Sequence, residues 1–163
     1  MTLVSGGSGS TISVQRWLSG VAAKPGHSSW TLTGDTLRLS INCTGLVLRC
    51  GSRFRVTVPP SLTVTVHSGS GNITGSALRL ANVRATSNQG DITLDFASAP
   101  KLVDVTSSIG NVIAKVPTAG QTYRIVLVTG TGTRSSKLRN DPHSPHVVRL
   151  ASDHGNTTVI PAS

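Results

Sequence analysis

The sequence predicts an all-β fold, a single-domain β-solenoid or prism-like stack of short strands, on three observations. First, glycine recurs in short polar turns at positions 71, 90, 110, 132 and 155, a spacing of 19, 20, 22 and 23 residues. Asn or Asp follows it in Gly71-Asn72, Gly90-Asp91, Gly110-Asn111 and Gly155-Asn156, and Thr133 follows Gly132. A turn recurring at that spacing is the mark of stacked β repeats, whose core is completed by their neighbours. Second, the segments between these turns alternate apolar and polar residues, the period of a half-buried strand. Third, no stretch has the apolar periodicity and length of a helix, while 17 Gly and abundant Ser and Thr suit turns and β surfaces.

Taken in order, Thr11-Ile12-Ser13-Val14-Gln15-Arg16-Trp17 alternates and reads as a first strand. Residues 22–29, punctuated by Pro25-Gly26, read as a loop. Trp30-Thr31-Leu32 follows as a short strand, and residues 36–41 put Leu37, Leu39 and Ile41 on one face. In residues 53–58, Phe54, Val56 and Val58 point to the core while Arg53, Arg55 and Thr57 point to solvent. Pro59-Pro60 stops that strand, because proline has no amide hydrogen for a ladder. The domain thus divides into an irregular β portion, residues 1–60, and the repeats, residues 61–161. Within the repeats, strands are expected around Val64, Leu78 to Leu80, Val83, Ile92 to Phe96, Leu102 to Val105 and Val112 to Val116. Tyr123 to Val128 gives the strongest strand signal of the C-terminal half. Residues 139–146, with Pro142 and Pro145, read as an insertion loop before Val147 to Leu150 and Thr158 to Ile160.

Composition narrows the function classes. Aromatic residues are 3% of the 163, so the core must come mostly from Val, Leu, Ile and Ala. No apolar run is long enough to span a membrane, and the first residues lack the apolar core of a signal peptide. That leaves a cytosolic protein or a fragment cut from an anchored one, with no membrane contact by the fragment itself. Lys and Arg number 15 against 6 acids, all of them Asp, for a net charge of +9. Such a charge attracts anionic partners and equally keeps a protein soluble.

No catalytic residues, cofactor or metal ligands are expected. Asp91 is a turn residue, and Asp95 and Asp104 are expected outward on adjoining strands, where a correctly spaced pair would suit glycan cleavage. His143, His146 and His154 lack the spacing of a metal motif. Gly130-Thr131-Gly132-Thr133 lacks the lysine and helix of a phosphate loop. Candidate ligand contacts are Arg53 and Arg55, the most regular basic row, extended by Arg38, Arg49, Arg79 and Arg84 where strands align. Nucleic acid is disfavoured, because aromatic platforms do not interleave with these charges. Cys43 and Cys50 flank a short segment, which leaves a bridge and two buried thiols both open.

The units Ser68-Gly69-Ser70-Gly71-Asn72-Ile73, Ser87-Asn88-Gln89-Gly90-Asp91-Ile92 and Ser107-Ser108-Ile109-Gly110-Asn111-Val112 resemble a repeated Thr/Ser-Gly-Ser-Gly-Asp-Val signature. It belongs to the bacterial DUF4097 β-strand repeat group, labelled "putative adhesin". Val56-Thr57-Val58-Pro59, Tyr123 before Thr129-Gly130-Thr131-Gly132, and Ser144-Pro145-His146-Val147-Val148 before the last turn match its layout in the same order. The resemblance covers residues 4–161. Asn stands for Asp in three turns and Thr133 in another. It implies a non-catalytic structural or adhesion-like ectodomain at the extracellular face of the bacterial envelope, carried by an anchored protein. The alternative is a binding or sensor module for an anionic cell-wall polymer or glycan. The partner would be such a polymer or another envelope protein. The envelope setting also favours a Cys43–Cys50 bridge.

Overall fold

The computed structural model describes residues 1–7, 9–33, 36–41 and 50–162. Among them are β1 (Thr2–Ser5), β2 (Ser13–Gly20), β3 (Ser28–Thr33), β4 (Thr36–Ile41), β5 (Cys50–Val58), β6 (Val64–Ser70), β7 (Ile73–Leu78) and β8 (Asn82–Gln89). They continue with β9 (Ile92–Phe96), β10 (Leu102–Ile109), β11 (Val112–Val116), β12 (Arg124–Thr131), β13 (Arg134–Ser136), β14 (Val147–His154) and β15 (Thr157–Pro161). Helix is confined to one 3-10 turn, Val21–Ala23, among the described residues. The all-β expectation therefore holds. The chain forms two compact units, one of residues 1–13 and 56–163 and one of residues 14–55.

The larger unit is made of two open parallel sheets. One has the order β12-β14-β10-β8-β6; the other runs β13-β15-β11-β9-β7-β1 and continues to β5. Each glycine turn carries the chain from the first sheet to the second, so β6–β7, β8–β9, β10–β11, β12–β13 and β14–β15 are five equivalent layers. Period two decides what each strand buries. Val83, Ala85 and Ser87 of β8 are buried while Arg84 and Thr86 are exposed. Parallel registers line up the inward residues in columns: Val83, Val103 and Val148 pair across β8, β10 and β14, as do Ala85, Val105 and Leu150. In the second sheet the column Ile73, Ile92, Val112, Thr157 is at most 1% exposed. Each fully buried Val or Leu contributes roughly 1.5–3 kcal/mol, so aliphatic columns can replace the missing aromatics.

The order in space is not the order in sequence. β14 lies between β10 and β12, and β15 between β11 and β13, so the last layer of the chain is the fourth of the stack. The segment between β13 and β14 makes this return. Its Ser144 hydroxyl donates to the Thr122 carbonyl at 2.6 Å, and the His146 ring nitrogen meets the Pro100 carbonyl at 2.7 Å. Tyr123 anchors the same corner, its hydroxyl donating to the Pro117 carbonyl at 2.6 Å and its ring edge-on to His146. Burial pushes the Tyr123 hydroxyl above its ordinary pKa.

In the smaller unit, β3 and β4 form an antiparallel hairpin with Trp30 opposite Leu39 and Thr31 opposite Arg38. Trp30 is 61% exposed and Trp17 on β2 is 52% exposed. Residues 22–29 are not one loop: the 3-10 turn takes their start, and β3 begins at Ser28. The expected Cys43–Cys50 bridge lies outside the described residues, since Cys43 and the Cys50 side chain are not among them.

Candidate functional site

The five turns form one continuous ladder, built from the residues that the spacing singled out. Gly71, Gly90, Gly110, Gly132 and Gly155 all have positive φ, from +99° to +151°. Four of the five glycine amides donate to the layer beyond: Gly71 to Gln89, Gly90 to Ile109, Gly110 to His154 and Gly155 to Thr131, at 2.8–2.9 Å. The Asx side chains repeat the pattern. Asn72 Oδ1 accepts from the Asp91 amide at 3.0 Å, Asp91 Oδ1 from the Asn111 amide at 2.7 Å, and Asn111 Oδ1 from the Asn156 amide at 3.0 Å. Asn156 Oδ1 closes the series with the Thr133 amide at 2.8 Å and its hydroxyl at 2.9 Å. Asn serves as well as Asp because the acceptor oxygen carries the ladder, and Asn111 Nδ2 adds a donor bond to Asp91 Oδ1 at 3.2 Å.

A hydroxyl ladder runs inside the first, and the sequence reading did not single it out. Ser107 donates to the Gly90 carbonyl at 3.0 Å, Ser152 to Gly110 at 2.8 Å and Thr129 to Gly155 at 2.7 Å. The signal was present: these hydroxyls stand at inward positions of alternating strands, where a polar side chain needs a partner. Ser87 occupies the same position in β8, but its Oγ is buried without a partner. The Gly71 carbonyl, its counterpart acceptor, is instead approached by Ser68 Oγ at 3.5 Å.

Beside the Asx ladder lies a shallow groove of about 250 Å³, lined by Asp91, Asn111, Asn156, Thr93, Ile113 and Thr158. Its floor is the outer face of β9, β11 and β15, where Thr93, Ile113 and Thr158 are in register. A second cleft, of about 230 Å³, is lined by Thr118, Gln121, Thr122, Tyr123 and the segment Lys137-Leu138-Arg139. Neighbouring Asp141 is held below the usual carboxylate range, first by the Thr122 hydroxyl and then by the His143 amide, which donates at 3.0 Å.

The strands of Arg53 and Arg55, of Arg38 and of Arg84 belong to three different sheets, and Arg49 lies outside the described residues. Arg53 and Arg55 are exposed on β5, with Phe54 half-buried and Val56 and Val58 buried. Arg38 is exposed on β4 of the two-stranded sheet. Arg84 is on β8, in the five-stranded sheet of the larger unit, where its Nε lies 3.8 Å from the Asp104 carboxylate. Asp104 faces Arg84 on one side and Arg149 on the other, so cation and anion alternate across that face. Nor do Asp95 and Asp104 adjoin: consecutive strands enter different sheets, so Asp95 is opposite Lys115 on β11 and Asp104 is on β10. No group of three metal-ligating side chains is gathered among the described residues. No helix among them is long and apolar enough to cross a membrane.

No protein-family model matches the chain, and no curated protein does. Among solved structures it is similar to a "putative cell adhesion protein" from Clostridium sporogenes, with a TM-score of 0.65 and 14% identity, over 98% of this chain and 87% of that one. At that identity the likeness is one of fold.

Proposed function

We propose that the chain is a non-catalytic, adhesion-like surface module of a bacterial envelope protein, of the DUF4097 kind, with its five layers acting as coils of a short β-solenoid. The observation that carries this reading is the fold likeness to the Clostridium sporogenes protein over nearly the whole chain. The placement of the candidate residues supports it. Asp91 and the three turn asparagines are engaged in holding layer to layer, and Asp141 holds a loop. A scaffold hydrogen-bonded in this way presents strands in regular register, which suits contact with extended partners.

The second reading, an anionic wall polymer as ligand, is favoured by Arg53 and Arg55. Both are exposed on one face of a strand, about 7 Å apart. Exposed charge contacts contribute roughly 0–1 kcal/mol each, so useful affinity needs many contacts with a repeating ligand. The test is retention on immobilised polygalacturonate at low ionic strength. Wild type should be retained and released by salt, and Arg53→Ser/Arg55→Ser should elute earlier with its β signal intact. Unchanged retention of the variant rules out this basic row as the contact. No retention of wild type rules out polymer binding and leaves the structural reading.

A further inference from the structure

We propose that the open edge of β12 takes up one extended, acidic peptide strand from another protein, which continues the five-stranded sheet. β12 is the last strand of that sheet, with β14 on its other side. Its main chain alternates in direction. The Arg124 amide donates to His146, towards β14, whereas the Tyr123 carbonyl and the Ile125 amide point outward. Those two outward groups are covered: the Asp141 amide donates to Tyr123 at 2.9 Å, and Asn140 Oδ1 accepts from Ile125 at 2.8 Å. The cover ends there. By the same alternation Leu127 and Thr129 present their amides and carbonyls to the open side, and no further strand pairs with them among the described residues.

The side chains tell the same story. Val148 and Leu150, one layer in, are fully buried, as are Val103 and Val105. Ile125 and Leu127, in register with Val148 and Leu150, are only half-buried because no layer covers them. Val126 and Val128 are 40% and 46% exposed on the outer face of the same strand. An edge that is unpaired, apolar and half-capped is the template for strand addition, in which main-chain bonds supply affinity and alternate side chains supply specificity.

Charge selects the partner. Arg124, Arg134, Lys137 and Arg139 are exposed along β12, β13 and the segment after them. Of the nearby acids, the Asp141 carboxylate is already bonded to Thr122 and His143. A second copy of this chain is a poor occupant, since it carries +9 and its six Asp are scattered singly. An extended segment alternating Asp or Glu with β-branched residues matches both the basic rim and the apolar edge.

The experiment uses the whole chain, isotope-labelled, and a capped ten-residue peptide alternating Val and Asp. In the free protein the Val126 and Val128 amides, which face β14, should exchange slowly and those of Leu127 and Thr129 quickly. Saturating peptide should slow Leu127 and Thr129 by about tenfold or more. Lys137→Ser/Arg139→Ser should weaken peptide binding about tenfold. Leu127→Pro should abolish it, because proline removes an outward amide that β14 does not use. If that variant does not fold, the exchange measurement on wild type decides alone. Unchanged exchange at Leu127 and Thr129 with peptide present overturns the proposal. So does protection of those amides by concentration alone, which makes a second copy the occupant. Equal displacement by polygalacturonate without amide protection overturns it as well, since the edge would then be only a charged surface.

Discussion

Replacing Gly110 by Ala should destabilise the protein far more than replacing Gly71, although both glycines have positive φ and head the same kind of turn. Gly71 has φ +99° and open space where a Cβ would stand. Gly110 has φ +145°, and a Cβ there would lie 2.3 Å from the Gly90 carbonyl oxygen and 2.6 Å from its carbon. The strain of a non-glycine residue in such a region is about 1–3 kcal/mol and is common to both substitutions. Overpacking against a backbone atom, which cannot swing aside, adds about 1–3 kcal/mol at Gly110 alone. Any shift that relieves the clash stretches the bonds from Gly110 to His154 and from Ser152 to Gly110, each contributing about 1 kcal/mol. The gap between the variants is therefore about 2–4 kcal/mol. For a chain of this length that is a difference in melting temperature of roughly 5–15 °C. Urea unfolding followed by circular dichroism reads it as a lower midpoint with an unchanged slope. Equal losses for the two variants would refute the argument that the turns are in direct contact, and leave only intrinsic backbone strain.

Thr157→Val should raise stability by about 1 kcal/mol, because Thr157 Oγ1 is buried without a partner beside an apolar column of Val112, Ile92 and Ile73. Thermal unfolding checks it, and a loss would mean that the hydroxyl is satisfied. Asp91→Asn should be nearly neutral, while Asp91→Ala should cost about 1–2 kcal/mol by leaving the Asn111 amide without its acceptor. Denaturant midpoints of the pair separate acceptor geometry from charge. Asp141 has a folded pKa below its ordinary 3.8, so its stabilising contribution is complete above that value and fades as pH falls through the lower folded value. An Asp141→Asn variant should therefore show a shallower fall in stability below about pH 4. An identical acid slope would refute the Thr122 and His143 assignment.

The ladder was legible in the sequence because it is made locally. Glycine supplies the positive φ and Asn or Asp the acceptor, and a regular spacing announces that such turns stack. Alternation likewise placed Phe54, Val56 and Val58 on the inner side of β5 and Arg53 and Arg55 on the outer. What alternation cannot give is which sheet a strand enters. Each glycine turn crosses to the other sheet, so Arg84 ends beside Asp104 rather than beside Arg53, and Asp95 is separated from Asp104. The hydroxyl ladder was missed for a different reason. Ser107, Ser152 and Thr129 are common surface residue types, and their inward direction follows only once Val83, Ala85 and Ser87 are read as one face.

The least legible feature, the place of the last layer, has the largest consequence for how the stack ends. Residues 124–136 and 147–161 both carry an alternating strand, a glycine turn and a second strand, so either satisfies the pairing demands of β10 and β11. Local chemistry is degenerate between them. The tie is broken outside the strands, by the return segment, where Asn140, Asp141 and Ser144 bond to Tyr123, Ile125 and Thr122. Those bonds hold the start of the segment against the outward groups of β12, and the chain then returns to β14 on the other side of that strand. The stack accordingly ends on Arg-Ile-Val-Leu-Val-Thr, an edge more apolar than natural edges usually are, and one whose first half is capped by the very loop that made the exchange. The strongest strand signal of the C-terminal half thus lies at the boundary of the sheet, where one alternate set of its backbone groups pairs with β14 and the other faces outward.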